Sequence, residues 1–227
     1  MRKLLLLLVL IAFLSCKQEK NTILEIDTPF DYTSYLLSHS DSVPTLEIKF
    51  DQPDSLVFVQ LNEELMPDGC ETSKDFNLKI DSLTIAARFQ QPCDMPMFCG
   101  LKLNVEVLIN RDNQILVEQE FVNDTSDLLL KIDRVIKNKN EYAYKNRTGL
   151  IIIRDKKADL SQSKLVIQSF VASYNKYMDS IALNRFYKNL EKLNLKELDE
   201  LKKERILVLE YWNYPKPRIP ERQELKN

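Results

Sequence analysis

Residues 101–118, LKLNVEVLINRDNQILVE, carry an apolar side chain at every second position, and no other stretch restricts the fold so tightly. Leu101, Leu103, Val105, Val107 and Ile109 alternate with Lys102, Asn104 and Glu106. A period of two puts the apolar set on one face of a strand and the polar set on the other. Asn110, Arg111, Asp112 and Asn113 then supply turn chemistry, because Asn and Asp tolerate left-handed backbone and bond their own chain. Ile115, Leu116 and Val117 return as a second strand, so the stretch predicts a β-hairpin. None of its residues is chemically reactive: it is scaffold.

Composition removes several functions. Net charge is −2, from 32 Lys+Arg against 34 Asp+Glu, a balance that argues against a nucleic-acid partner. The three glycines, Gly69, Gly100 and Gly149, are far apart, whereas loops that cradle phosphate need several close together. With one histidine, His39, a His-based triad or a multi-His metal site within the chain is excluded. Neither cofactor nor metal is expected.

The N-terminus gives an address. Arg2 and Lys3 precede an apolar run over 4–14, followed by Ser15 and Cys16. The run is too short for a membrane span of about 20 residues and suits a secretion signal. Phe13-Leu14-Ser15-Cys16 resembles the lipobox of bacterial lipoproteins, with Phe13 in place of the commoner Leu, as in Bacteroidetes-type members. The resemblance implies cleavage before Cys16 and a diacylglycerol thioether on its sulfur. Each buried methylene contributes about 0.8 kcal/mol, and two or more acyl chains anchor stably. The expected location is the cell envelope, lipid-anchored in the inner or outer membrane, with a periplasmic domain.

Beyond the signal peptide (1–15), the lipidated Cys16 and a polar tether occupy 16–43, with a short helix over 32–37 and His39 as a solvated loop residue. Residues 44–100 read as a β-rich segment. Leu46, Ile48 and Phe50 alternate as one strand, 56–61 (LVFVQL) forms a buried second, and 76–80 and 83–89 flank the turn Asp81-Ser82. Cys70, Cys93 and Cys99 are the exported thiols once Cys16 carries lipid, so one disulfide and one spare thiol are expected in an oxidising compartment. Three pairings are open; Cys93–Cys99 closes the shortest loop. A Cys3His zinc site with His39 is disfavoured, since no pair has knuckle spacing. After the hairpin, Asp124, Thr125 and Ser126 offer N-cap oxygens to a helix over 127–138. Residues 150–153 form a continuous apolar run suited to a central strand. Asp159 and Ser161 precede a long helix over about 162–190, Asn194 caps a charged helix over 196–203, and 205–211 (RILVLEY) closes as a strand. The tail, 213–227, carries Pro215, Pro217 and Pro220.

This order predicts an α+β fold over 101–212: a two-layer sandwich of mostly antiparallel sheet with two helices on one face, preceded by the extra β-rich segment. LNVEVLINRDNQILVEQEFV followed by a helix resembles the first hairpin of the ExbD/TolR family's periplasmic domain. Ile151-Ile152-Ile153-Arg154-Asp155 falls where that family has a "V-x-I-x-x-D" strand. SYNKYMDSIAL, within 165–183, is similar to its long helix, and Tyr214-Pro215 with Arg218-Ile219 to its terminus. The match covers 101–220. Family members also carry a transmembrane helix with one acidic residue, which the short leader here lacks. The resemblance implies a homodimer and contacts with motor or TonB-like envelope proteins.

Three functions follow as expectations. The first is a non-catalytic envelope lipoprotein that binds partners and serves energy-coupled outer-membrane transport, offering Leu207, Leu209 and Tyr211 on an exposed sheet edge. The second is a surface or periplasmic ligand-binding or structural lipoprotein unrelated to transport. The third is a carboxylate-based glycan hydrolase, which needs two acids of divergent pKa at fixed separation. Asp-Ser-apolar triplets at Asp41, Asp54 and Asp81 resemble O-glycosylation triplets, and the sequons at Asn123 and Asn146 carry no weight in such an organism.

Overall fold

Backbone alternation, turn chemistry and caps produce most elements where the sequence places them. The computed structural model describes residues 31–39, 42–65, 73–90, 104–142, 147–155, 157–204 and 206–212. In chain order the elements are α1 (Tyr32–Leu37), β1 (Thr45–Glu47), α2 (Asp54–Leu65), β2 (Ser73–Ile80), β3 (Leu83–Gln90) and β4 (Asn104–Ile109). There follow β5 (Ile115–Val117), β6 (Glu120–Phe121), α3 (Thr125–Tyr142), β7 (Arg147–Arg154) and α4 (Leu160–Phe186). A 3-10 turn (Leu190–Lys192), α5 (Leu195–Glu204) and β8 (Ile206–Trp212) complete the set. The fold is α+β.

The predicted hairpin forms, and Asn110 builds its turn. That side chain is buried; its Oδ1 accepts from the Asp112 and Gln114 amides at 3.0 and 2.9 Å. Asn113 takes the left-handed conformation, φ 62°, and its Oδ1 accepts the Asp159 amide at 2.6 Å. The turn is thereby tied to the residue that caps α4, where Asp159 Oδ1 accepts from the Ser161 amide. The other caps also fall as read. Asp124 Oδ1 accepts the Asp127 amide at 2.9 Å to start α3. Asn194 and Glu197 exchange bonds of 3.0 and 2.9 Å as a capping box on α5.

The sheet is mixed rather than mostly antiparallel. Its order is β1-β2-β3-β8-β7-β4-β5-β6. Strands β2–β3, β4–β5 and β5–β6 pair antiparallel through hairpins. The pairs β1–β2, β3–β8, β8–β7 and β7–β4 are parallel. Parallel pairs need crossovers of a dozen or more residues, so no local turn signal announces them. The β3–β8 pairing also joins the 44–100 segment to the 101–212 segment in one sheet. Residues 31–227 form one unit and 1–30 another; α1 and His39, read as tether, belong to the larger unit.

Register sets the core. Phe76 faces Ala87 and Leu78 faces Ile85 across β2–β3, while Val105 and Val107 lie beside Leu150 and Ile152. Against this layer α3 buries Leu128, Ile132 and Ile136, and α4 buries Val166, Phe170, Tyr174 and Met178. Phe170 and Tyr174 stack at 6.2 Å, and the Phe58 ring of α2 meets Phe89 edge-on at 5.7 Å. At alternate positions Lys79 and Glu106 stay exposed, and the cross-strand pair Asp75–Arg88 closes at 2.7 Å.

Residues 56–61 are helical, not a strand. The apolar run LVFVQL suits either state by composition. Val57, Leu61 and Leu65 are buried at i, i+4 and i+8, whereas Leu56 and Val59 are exposed. The Pro53 carbonyl accepts the Leu56 amide at 3.0 Å, opening the first turn. A strand would have buried Val59 beside Val57 and Leu61. Val59→Lys should therefore change stability by no more than about 0.5 kcal/mol, while Leu61→Lys should cost about 4 kcal/mol or more by burying an unpaired charge; urea unfolding compares them.

The β5–β6 turn holds two successive residues at positive φ, Glu118 at 48° and Gln119 at 72°. Hairpin turns of that kind ordinarily take Asn-Gly. Here Glu118 brackets Glu106, donating its amide to the Glu106 carbonyl at 3.0 Å and accepting the Glu106 amide at Oε1, 3.1 Å. Gln119→Val should destabilise by about 1–2 kcal/mol, since β-branched residues fit positive φ poorly. Gln119→Gly should lose nothing in the same denaturation assay.

Candidate functional site

Leu207, Leu209 and Tyr211 do not lie on a sheet edge. They belong to β8, which is paired to β3 on one side and to β7 on the other. Its ladder groups are thus committed within the sheet, and no incoming strand can add along it. Among the described strands the edges are β1 and β6. Strand β1 has 3 residues, and Gln60 Nε2 of α2 donates to its Glu47 carbonyl at 3.3 Å. Strand β6 has 2 residues, and its Glu120 pairs with Lys131 at 3.4 Å and Arg134 at 3.8 Å. Short, charged, covered edges resist strand addition.

His39 is also not the solvated residue expected. It is half-buried; its amide donates to Asn77 Oδ1 at 2.7 Å, and its Nε2 lies 3.3 Å from the Ala87 carbonyl. It fastens the segment after α1 to β2 and β3. Cys16, Cys70, Cys93 and Cys99 lie outside the described residues. Among the described residues no three His, Cys, Asp or Glu side chains are grouped to hold a metal ion.

The acids with displaced pKa values serve the architecture. The Asn123 amide and Lys131 hold Asp127 below the usual carboxylate range. The Ser161 amide does so for Asp159, and Lys188 with the Asn194 amide for Glu197. Burial pushes Asp133 upward, but hydrogen bonds from Lys176 (2.8 Å) and Ser173 outweigh it and leave it lowered. A general acid needs the opposite displacement. Tyr35 is pushed up to about 12, first by its hydrogen bond to Asp199 and then by burial.

Exposed apolar side chains also stand at the corner of the chain where α4 turns through the 3-10 segment into α5. Leu183, Tyr187 and Leu195 stand exposed there, Tyr187 at 89%. Tyr187 ends α4 in left-handed backbone, φ 56°, with its amide on the Leu183 carbonyl at 3.1 Å; glycine is usual at such an end. The corner is braced by Lys188–Glu197 at 2.7 Å, Arg185–Glu200 at 3.4 Å and the Leu190 amide on Asp179 Oδ1 at 2.8 Å. Helix α1 is fixed beside it. The Tyr35 hydroxyl donates to Asp199, Lys202 Nζ donates to the Tyr35 carbonyl at 2.6 Å, and Asn175 Nδ2 donates to Thr33 Oγ1 at 3.2 Å. Sequence reasoning passed over these residues because Leu183 and Tyr187 fall off the buried stripe of α4, and single exposed apolar residues are common. The signal available was an aromatic directly after the last helical position.

Asp133→Asn should lower stability by about 1 kcal/mol at neutral pH. A depressed folded pKa stabilises above the unfolded value, about 4, and that stabilisation is lost as pH falls through the folded value. The gap between wild type and variant should therefore close in acid, as thermal melts across pH would show. Comparison with family models, with curated proteins and with solved structures finds no match for this chain.

Proposed function

We propose that this chain is a lipid-anchored, non-catalytic protein of the cell envelope that works by holding protein partners. The observation that carries the reading is the leader: a basic start, an apolar run over 4–14, then Ser15 and Cys16. A thioether lipid on Cys16 would hold the chain at a bilayer surface. Such confinement suits a binding function, since it raises the local concentration of membrane partners. No helix among the described residues is long and apolar enough to cross a membrane.

The ExbD/TolR-like phrases fit the same proposal. Ile151–Asp155 coincides with the end of β7, and SYNKYMDSIAL lies wholly within α4. On this reading the chain presents a motor-like periplasmic domain from a lipid anchor and serves as an accessory to energy-coupled outer-membrane transport. It acts with motor or TonB-like proteins and does not supply proton coupling of its own.

Mass spectrometry of the detergent-extracted chain should find a polypeptide starting at Cys16 with acyl chains attached, and Cys16→Ser should abolish both cleavage and acyl mass. Cross-linking in whole cells should recover a motor or TonB-like partner with the wild type. A mature chain without acyl mass would overturn the anchor. Cleavage of the domain by protease added to intact cells would place it outside and favour a surface ligand-binding lipoprotein instead.

A further inference from the structure

We propose that the sheet face turned away from the helices is a docking surface for the chain's own residues 91–103, which cross it from the end of β3 to the start of β4. Three observations on the described strands carry this, and none of them depends on the lipid-anchored reading.

The first is an apolar row on that face. Ile153 pairs with Leu108, Leu108 with Leu116, and Leu116 with Phe121, so neighbouring strands set these side chains in register. The core that the helices share takes the alternate positions, Val107, Ile109, Ile115 and Val117, and includes none of the row. Leu108 and Leu116 are nonetheless only 9% and 1% exposed. A side chain standing perpendicular to a sheet is screened from the sides by its row, and stays open above unless a further layer lies on it.

The second is handedness. Crossovers between parallel strands of one sheet are right-handed with very few exceptions. β1 passes through α2 to β2, β6 through α3 to β7, and β7 through α4 and α5 to β8. The buried residues of these helices all belong to one core, on one face. The α2 crossover steps the opposite way along the sheet, but between strands of opposite direction, so all three have one hand. The connection from β3 to β4 joins strands parallel to β7 and β8, yet it steps back against the β7-to-β8 sense. To keep the same hand it has to pass over the face without helices.

The third is reach and composition. From Gln90 to Asn104 the path crosses β8 and β7 and drops four residues along β4, about 20 Å at ordinary strand spacing and rise. Climbing over the side-chain layer and down again brings it to about 40 Å. The 13 residues 91–103 extend to about 45 Å. Met95, Met97, Phe98, Leu101 and Leu103 supply apolar cover of adaptable shape. The rival occupant, 213–227, carries Lys216, Arg218, Glu221, Arg222, Glu224 and Lys226, and charges laid on leucines lose hydration without a partner.

The test places a photo-cross-linker on this face of the full-length chain. Glu106 is exposed there, beside Ile151 in the β4–β7 ladder. Glu106→p-benzoylphenylalanine, photolysed in dilute solution, should form an adduct with the tryptic peptide 89–102, which holds most of the segment. Lys79, exposed on the same face of β2 and outside the path, carries the control probe and should lose that adduct. Mixing isotope-labelled with unlabelled chains tells whether both peptides come from one molecule. A probe at Ile151, half-buried one strand nearer β3, repeats the measurement should the variant at 106 lose its cooperative melt. An adduct with 89–102 inside one molecule, from 106 or 151 and not from 79, is the expected result. Adducts on residues after Trp212, adducts only between molecules, equal adducts from 79, or none from a folded variant would each overturn the proposal.

Discussion

Strand β8 is hydrogen-bonded to β3 on one side and to β7 on the other, and these two parallel ladders hold the sheet together. The β1-β2-β3 group precedes the hairpin in the chain, whereas β7, β4, β5 and β6 form the other half. No other described strand bridges them. The last described strand therefore enters between elements laid down much earlier, and its contacts span the greatest sequence distance. Non-local pairing of this kind loses loop entropy before any contact rewards it. Formation of β8 is thus the step that converts two sub-sheets into one eight-stranded layer.

The helices depend on that layer, and their polar groups are spent on fastening them to it. Asn113 accepts the amide of Asp159, so the β4–β5 turn and the start of α4 share a bond. Asp133 joins α3 to Lys176 of α4, and Asp199 joins α5 to Tyr35 of α1. Asp159 is held low by the Ser161 amide at its own helix cap. Asp133, despite burial, is held low by hydrogen bonds from Lys176 and Ser173 across to α4, and Tyr35 is pushed up by its bond to Asp199. Perturbed titration marks structural networks as well as reactive sites, and these groups cap helices or join elements of the fold.

Joints of this kind also hold the turn that follows α4. The turn after α4 is braced by two ion pairs and by Asp179 on the Leu190 amide. A binding surface needs its side chains held before the partner arrives, since ordering them on contact would subtract from affinity. The described sheet edges are short and covered, so the outward faces of the helices make up much of the described surface.

Residues whose structure is decided within a few positions were legible from the start. The alternation in β4, the Asn110–Gln114 turn, the caps Asp159 and Asn194, and the apolar stripe of α4 are all local, because their bonds close within one turn. Sequence alone also carried the α+β class, since hydrophobic runs and periodicity are written in order along the chain. What only the tertiary structure decided is non-local. LVFVQL became a helix because burial of Val57, Leu61 and Leu65 overrode a β-prone composition. RILVLEY took the centre of the sheet instead of its edge, and His39 was drawn against Asn77 and Ala87. Leu183, Tyr187 and Leu195 were left outside. A strand's neighbours and a side chain's cover come from distant parts of the chain, and no local pattern encodes which of them will arrive.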